Sequence, residues 1–260
     1  MVFPTQWHEL EDSFCEYHKH YNVEYFTAEP SYYFPLSLWR FRAAHFILND
    51  LRAASIQNVL LLDLRDTIFQ GNPFGSMPGF DGSSPDHGLA SSYVLFTQEG
   101  DSDHNVTIGG NPFNSLWVEK CFNDSVLQAI SDSNVVCSGT VFGGLDAMLA
   151  YLQLLFDVAN FATKPGCLSL GGIDQGLHNY ILHWLKPRRP DLLSFDTLVL
   201  ENDDSPIYTV GSVEIHMTGG SDGMVVRNRR GRVPAVLHQV DRHPSLLEHV
   251  AALSMDQLRH

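Results

Sequence analysis

Apolar residues recur at Leu38, Phe41, Ala44, Leu48 and Leu51, spacings of three and four that predict an amphipathic helix over residues 35–54. After a break at Ser55, residues 58–64 read Asn-Val-Leu-Leu-Leu-Asp-Leu, a continuous apolar run of strand length. Such a run suits a central parallel strand buried on both faces. Residues 70–88 are dense in Gly, Pro, Ser and Asp and predict a long loop. Strand patterns return at residues 89–97 and 134–142, and Leu145, Met148, Leu152, Leu155 and Ala159 then mark one side of a long helix. Gly171-Gly172 opens a further helix over residues 174–185, which Pro187 is expected to end. Residues 192–240 alternate short strands with turns, including a hairpin around residues 228–231. At the other end, residues 8–21 read as a helix and residues 22–26 as a short strand. The order, α and β elements alternating first and mixed β afterwards, predicts an α/β fold with a mostly parallel central sheet flanked by helices and a mixed-β C-terminal part. No linker or repeat divides the chain, so residues 1–260 are read as a single domain.

Composition narrows the function classes. A chain 44% hydrophobic over 260 residues can bury a sizeable core, which excludes general disorder. Thirty acidic against sixteen basic residues give a formal charge of −14, a field that repels nucleic acid and anionic membranes and attracts cations. No stretch reaches the ~18 apolar residues of a membrane span. Gln6, His8, Glu9, Glu11 and Asp12 interrupt any signal-peptide pattern, so the chain reads as soluble. The four cysteines show no Cys-x-x-Cys pairing, which argues against structural zinc and leaves their oxidation state open. Two sequons, Asn105-Val-Thr107 and Asn123-Asp-Ser125, matter only inside a secretory compartment.

The chemistry concentrates in Leu61-Leu-Asp63-Leu-Arg-Asp66-Thr-Ile-Phe-Gln70. Two carboxylates where a buried strand meets its loop stand where open α/β sheets bind ligands. A carboxylate is costly there unless it is used, and a pair can hold a hard divalent cation. The plainer reading makes Asp63 a turn residue and pairs Asp66 with Arg65 in solvent.

Five segments in order resemble one eukaryotic and algal-virus branch of the metal-dependent, nucleotide-sugar glycosyltransferases of the GT-A fold. They are Arg40-Phe41, Asp63-Leu-Arg-Asp-Thr-Ile-Phe-Gln-Gly-Asn-Pro-Phe74, Cys137-Ser-Gly-Thr-Val-Phe-Gly-Gly144, Gly172-Ile-Asp-Gln-Gly-Leu-His-Asn179 and Val236-Leu-His-Gln-Val-Asp-Arg-His-Pro244. The resemblance implies transfer of a sugar from a nucleotide diphosphate, UDP by family habit, to a hydroxyl of a glycan or glycoprotein. It implies a divalent ion, manganese or else magnesium, held by Asp63, Asp66 and His238, with His243 and Asp241 as substitutes for the histidine. Which of Asp63 and Asp66 touches the ion stays open, since they are spaced Asp-x-x-Asp. Asp174 is the implied catalytic carboxylate, or else a helix N-cap. Arg40, Arg65, Ser138, Gly139, Thr140, Gln175, Asn179 and Asp241 are implied to line the donor or acceptor site. The strand that opens such folds is expected to be missing, with residues 1–5 as its remnant, and family habit points to the Golgi.

Two other readings stand beside this one. Asp63-Leu-Arg-Asp-Thr-Ile-Phe also resembles the Asp-x-Asp-x-Thr of magnesium-dependent, haloacid dehalogenase-type phosphatases, with Arg65 in place of their general acid. A catalytically inactive sugar-binding protein is the third. The basic stretch Arg227-Asn-Arg-Arg-Gly-Arg232 reads as a charged hairpin loop, or as a site for a diphosphate or an anionic glycan.

Overall fold

The computed structural model describes residues 35–54, 56–75, 92–101, 103–220 and 223–248. The helix and strand expected over residues 8–26 lie outside the described residues, as does most of the loop expected over 70–88. Helix α1 (Leu36–Asp50) follows Pro35 and buries Leu38, Phe41, Ala44 and Leu48, the periodic set read from the sequence. Strand β1 (Asn58–Leu62) runs into a 3-10 turn, Leu64–Asp66, and then β2 (Thr67–Phe69). Next come β3 (Tyr93–Gln98), α2 (Pro112–Cys121), α3 (Asp124–Ile130), β4 (Val136–Gly144), α4 (Leu145–Phe161) and α5 (Ile173–Tyr180). The chain finishes with β5 (Asp196–Leu200), β6 (Ile207–Thr209), β7 (His216–Gly220), β8 (Gly223–Arg227) and β9 (Val236–His238).

The main sheet has the order β1-β4-β3-β5. It is mixed, which corrects the expectation of a mostly parallel sheet: β4 runs antiparallel to both β1 and β3, and only β3 and β5 pair in parallel. The reason lies in the connection between β3 and β4. Glu99 N–H donates to Val135 O (2.8 Å) and Thr107 bridges Asn134, so the excursion through α2 and α3 returns to the end of the sheet it left. Nor is β1 the central strand buried on both faces that its apolar run predicts: among the described residues it lies at the edge of this sheet, pairs with β4 and buries Val59 alone, because an apolar run encodes neither direction nor place in the sheet. A second sheet, β2-β9-β6, and a β7–β8 ribbon complete the β structure.

Alternation along the strands divides the interior. Val94, Phe96 and Val141 face the helices α1, α4 and α5, while Leu95 and Phe142 face Ile207, Ala235 and Val236 of the second sheet. Helices therefore cover one face of the main sheet and the smaller sheet covers the other, instead of helices on both. Tyr208, Val226 and Leu237 pack a further cluster on the second sheet's far side.

Three local expectations are also corrected. Pro187 does not end its helix: a π-helical turn, Ile181–Leu185, precedes the helical turn Lys186–Arg188. Widening the ladder relieves the clash that a proline ring makes with the carbonyl four residues back. Residues 228–231 form a tight turn with Asn228 N–H donating to Arg232 O (2.9 Å), but β8 pairs with β7 and not across that turn. Helices α2 and α3 were not expected; Asn111 and Asn123 cap them, with Pro112 at the first position of α2. Cys121 and Cys167 form a disulfide that ties the end of α2 to the turn before α5, and Cys137 is a buried free thiol.

Candidate functional site

The main sheet positions the site where β1 ends. Asp63 follows β1 directly, and its N–H donates to Gly139 O on β4 (2.9 Å). The 3-10 turn carries the chain back at once, and the Thr67 hydroxyl closes it by donating to Asp63 O (2.7 Å). Thr67 lies opposite His238 in the β2–β9 pairing. One ligand atom from each of Asp63, Asp66 and His238 falls within 4.8 Å of the others.

The tautomer of His238 follows from this geometry. The only hydroxyl hydrogen of Thr67 is engaged in the bond it donates to Asp63 O, so its oxygen can only accept from His238 Nδ1, 3.3 Å away. Nδ1 is then the protonated nitrogen and Nε2 carries the lone pair. An ideal Cβ at Gly139 would lie 2.4 Å from His238 Nε2 and 2.9 Å from Asp63 Oδ2, so both atoms converge over this glycine. His238 is buried, and burial, with the charges of Arg40 and Arg242, lowers its pKa to about 3. The imidazole is neutral at physiological pH, the form that ligates metals.

Asp66 points the same way. Its Oδ1 is buried with no hydrogen-bond partner among the described residues, and His238 Nδ1 at 3.6 Å is too far to serve. Burial and the nearby Asp241 charge raise its pKa. An orphaned carboxylate oxygen beside a second carboxylate and a neutral imidazole is a donor set that fits a divalent cation.

Beside this group stands Asp174, in the first turn of α5. The helix is entered through Gly172 at φ +74, where a side chain would be strained and its Cβ would sit 2.5 Å from the Trp117 ring. The Asp174 carboxylate does not cap the helix: Oδ2 accepts from Arg40 Nη2 and from Ser138 Oγ, each at 2.9 Å. Arg40 also pairs with Asp63, so its guanidinium spans the two carboxylates. Helix α1 supplies that arginine from its polar side, with its apolar side in the core.

The structure divides the remaining expected residues. Ser138 and Gln175 belong to the network, with Gln175 Oε1 accepting from Ser138 N (3.2 Å). Thr140 Oγ1 is buried and unpartnered among the described residues. Asn179 does not line the site. Its amide accepts from Val136 N (2.9 Å) and donates to Val136 O (3.1 Å), clamping α5 to the start of β4. Arg65 is 89% exposed and lies 3.6 Å from Asp241, so this pair belongs to the solvent-facing side. His243 Nε2 donates to Val210 O (2.7 Å), which leaves His238 as the histidine of the group. The basic turn is neutralised by neighbours: Arg229 pairs with Asp101 and Asp103, and Arg230 with Asp204 and Glu201.

Three residues escaped the sequence reading. Thr67 orients His238. Glu99, buried after β3, accepts from Gln175 Nε2 (2.9 Å) and Gln239 Nε2 (3.4 Å), and burial raises its pKa. Gln239 adopts φ +63, turning the chain sharply just after His238. Thr67 stood within the quoted acidic segment, whereas nothing near Glu99 in the sequence announces its partners.

No protein-family model matches the chain, and no curated protein matches it.

Proposed function

We propose that this chain is a glycosyltransferase of GT-A type that moves a sugar from a nucleotide diphosphate, a UDP-sugar, to a hydroxyl of a glycan or glycoprotein. The observation that carries the reading is the convergence of Asp63, Asp66 and His238, from segments far apart in sequence, next to the buried Asp174. These are the residues that the motif resemblance assigns to the metal and to catalysis.

Asp63, Asp66 and His238 Nε2 would hold the cation, with Thr67 keeping the imidazole in the right tautomer. A bound divalent ion supplies positive charge against the diphosphate as it leaves. Arg40, paired with Asp63 and Asp174, would add a second positive charge against the diphosphate. Ser138 and Arg40 hold Asp174 in one orientation, so its carboxylate meets the reacting sugar without reorganising. It either takes the proton of the acceptor hydroxyl or supports positive charge at the anomeric carbon. Gly139, lacking a side chain, leaves room where Asp63 and His238 meet.

The phosphatase reading fares less well. A general acid at position 65 would have to face the first carboxylate, but Arg65 points into solvent.

The test is a calorimetric titration of UDP into the chain with manganese and then with excess chelator. Binding should require manganese and should be lost in both Asp66→Ala and His238→Ala. Manganese-dependent binding unchanged in both variants would overturn the site. Chelator-insensitive absence of binding by folded protein, together with release of phosphate from an aryl phosphate, would replace this reading with the phosphatase.

A further inference from the structure

The disulfide and one of the two sequons lie two residues apart, and neither belongs to the candidate site. Cys121 closes α2 and is bonded to Cys167 across 46 residues of chain. Stable disulfides between buried cysteines belong to oxidising compartments, because cytosolic thiols are kept reduced. Both of these cysteines are buried. Such a pair forms by exchange with a disulfide donor, which leaves as the dithiol and takes up the two electrons and two protons.

Asn123, in Asn123-Asp-Ser125, is exposed and stands at the N-cap of α3. Its Oδ1 accepts from Val126 N (2.8 Å) and from Ser125 Oγ (2.6 Å). Its Nδ2 makes no hydrogen bond among the described residues. The two halves of the amide are thus divided: the oxygen caps the helix, and the nitrogen has no partner among the described residues. Substitution on nitrogen keeps the carbonyl oxygen and leaves the cap intact. Asp124 and Ser125 are exposed as well, so a bulky, hydrophilic group on Asn123 meets solvent and not the core.

We infer that Asn123 is an N-glycosylation site and that this chain folds in an oxidising secretory lumen. The co-reactant is a lipid-linked diphospho-oligosaccharide. Asn123 Nδ2 forms a bond to the anomeric carbon of the oligosaccharide. The bond from that carbon to the diphosphate oxygen breaks with its electron pair going to the diphosphate. One amide proton passes to a base of the transferring enzyme. The inference does not depend on the glycosyltransferase reading, since none of its residues touches Asp63, Asp66, His238 or Asp174.

Asn105 supplies an internal comparison. It is also exposed, but its backbone bridges Gly100 in a tight loop beside the buried Asp101 and its ion pair with Arg229. The assignment is to Asn123.

The test places the full chain behind a cleavable secretion signal in cultured eukaryotic cells. The secreted protein is treated with an amidase that releases N-linked glycans and converts the bearing asparagine to aspartate, and peptides are mapped without reduction. The expected map contains the Cys121–Cys167 cross-linked peptide and aspartate at position 123. Ser125→Ala should abolish the conversion while keeping the Asn123 cap, and Ser125→Thr should retain it. An unconverted Asn123 in chains whose disulfide has formed overturns the site, as does conversion confined to Asn105. Free thiols at both Cys121 and Cys167 overturn the compartment. The same mapping on the chain drawn from the cells that make it must give aspartate at 123, and an intact Asn123 there refutes the inference.

Discussion

Gly139→Ala adds one methyl group at the point where the proposed ligands meet. Its ideal Cβ would lie 2.4 Å from His238 Nε2, 2.8 Å from Cε1 and 2.9 Å from Asp63 Oδ2, whereas ordinary contacts begin at 3.4 Å. The imidazole would therefore have to retreat by about 1 Å. It has little room, being 2% exposed and held by Thr67. Gly139 cannot retreat either, because its carbonyl accepts from Asp63 N (2.9 Å) in the middle of the main sheet. Its φ is not positive, so alanine brings no backbone strain. Overpacking should cost about 1–3 kcal/mol of stability, partly offset by the ~0.4–1 kcal/mol that alanine gains over glycine through the unfolded chain. Metal sites tolerate ligand displacements of only ~0.2 Å, so a shift of about 1 Å should remove His238 as a ligand. Manganese affinity should then fall at least ~10–100-fold, the scale found when a ligand's supporting contacts are lost. Calorimetry with manganese measures the affinity and thermal melting the stability. Gly171→Ala is the control: nothing lies within 4 Å of its ideal Cβ, so both quantities should stay near wild type. Adding Gly139→Ala to His238→Ala should cause little further loss, because the methyl acts through the ring already removed. A folded Gly139→Ala protein that binds manganese like wild type would refute the convergence on which the proposed function rests.

Two further outcomes follow from the same geometry. Asp174→Asn should lower turnover by ~10²-fold or more while changing donor binding far less, since its proposed contribution arises in the transition state. Parallel loss of donor affinity and turnover, measured by steady-state kinetics and calorimetry, would reduce Asp174 to an anchor for Arg40. Acid should destabilise the fold through His178, which is fully buried with Nδ1 2.6 Å from the Tyr151 hydroxyl. Burial, then the His183 and Arg40 charges, lowers its pKa to about 3, so the unfolded chain takes up a proton below ~6.5 that the native chain refuses. The stability tied to His178 is fully present above ~6.5 and declines as the pH falls towards 3, by at most ~1.4 kcal/mol per pH unit. Glu99 and Asp66, whose pKa values are raised, act in the opposite direction, so slopes and not absolute stabilities are compared. Urea midpoints between pH 7 and 4.5 should fall less steeply in His178→Phe than in wild type, and equal slopes would refute the assignment.

The local elements were legible because their causes are local. The spacing of Leu38, Phe41, Ala44 and Leu48 is a property of one helix, and these residues are buried as that spacing requires. The apolar run ending at Asp63 announced a strand and a carboxylate at its end, and both are present. The run said nothing about direction: β4 opposes its neighbours because the α2–α3 excursion closes through Glu99 and Val135, contacts made only when distant segments meet. Glycine at 172 announced a helix entrance but not the Trp117 ring that excludes a side chain there.

The same boundary divides the site. Residue types that can bind a cation or act as a catalytic acid or base are visible in a sequence, so Asp63, Asp66, Asp174 and His238 could be singled out. Which nitrogen of His238 is free depends on the hydrogen bond that the Thr67 hydroxyl donates to Asp63 O, and no pattern along the chain encodes it. Asn179 shows the converse: it shares a motif with Asp174, yet the packing of α5 on β4 commits its amide to Val136. The sequence by itself determined which helix faces would be buried and where charge would meet the end of a strand, because hydrophobic periodicity and the cost of burying a carboxylate act over a few residues. Only the tertiary structure decided strand direction, the Cys121–Cys167 pairing and the bridge that Arg40 makes between Asp63 and Asp174, because each joins groups that the chain itself holds far apart.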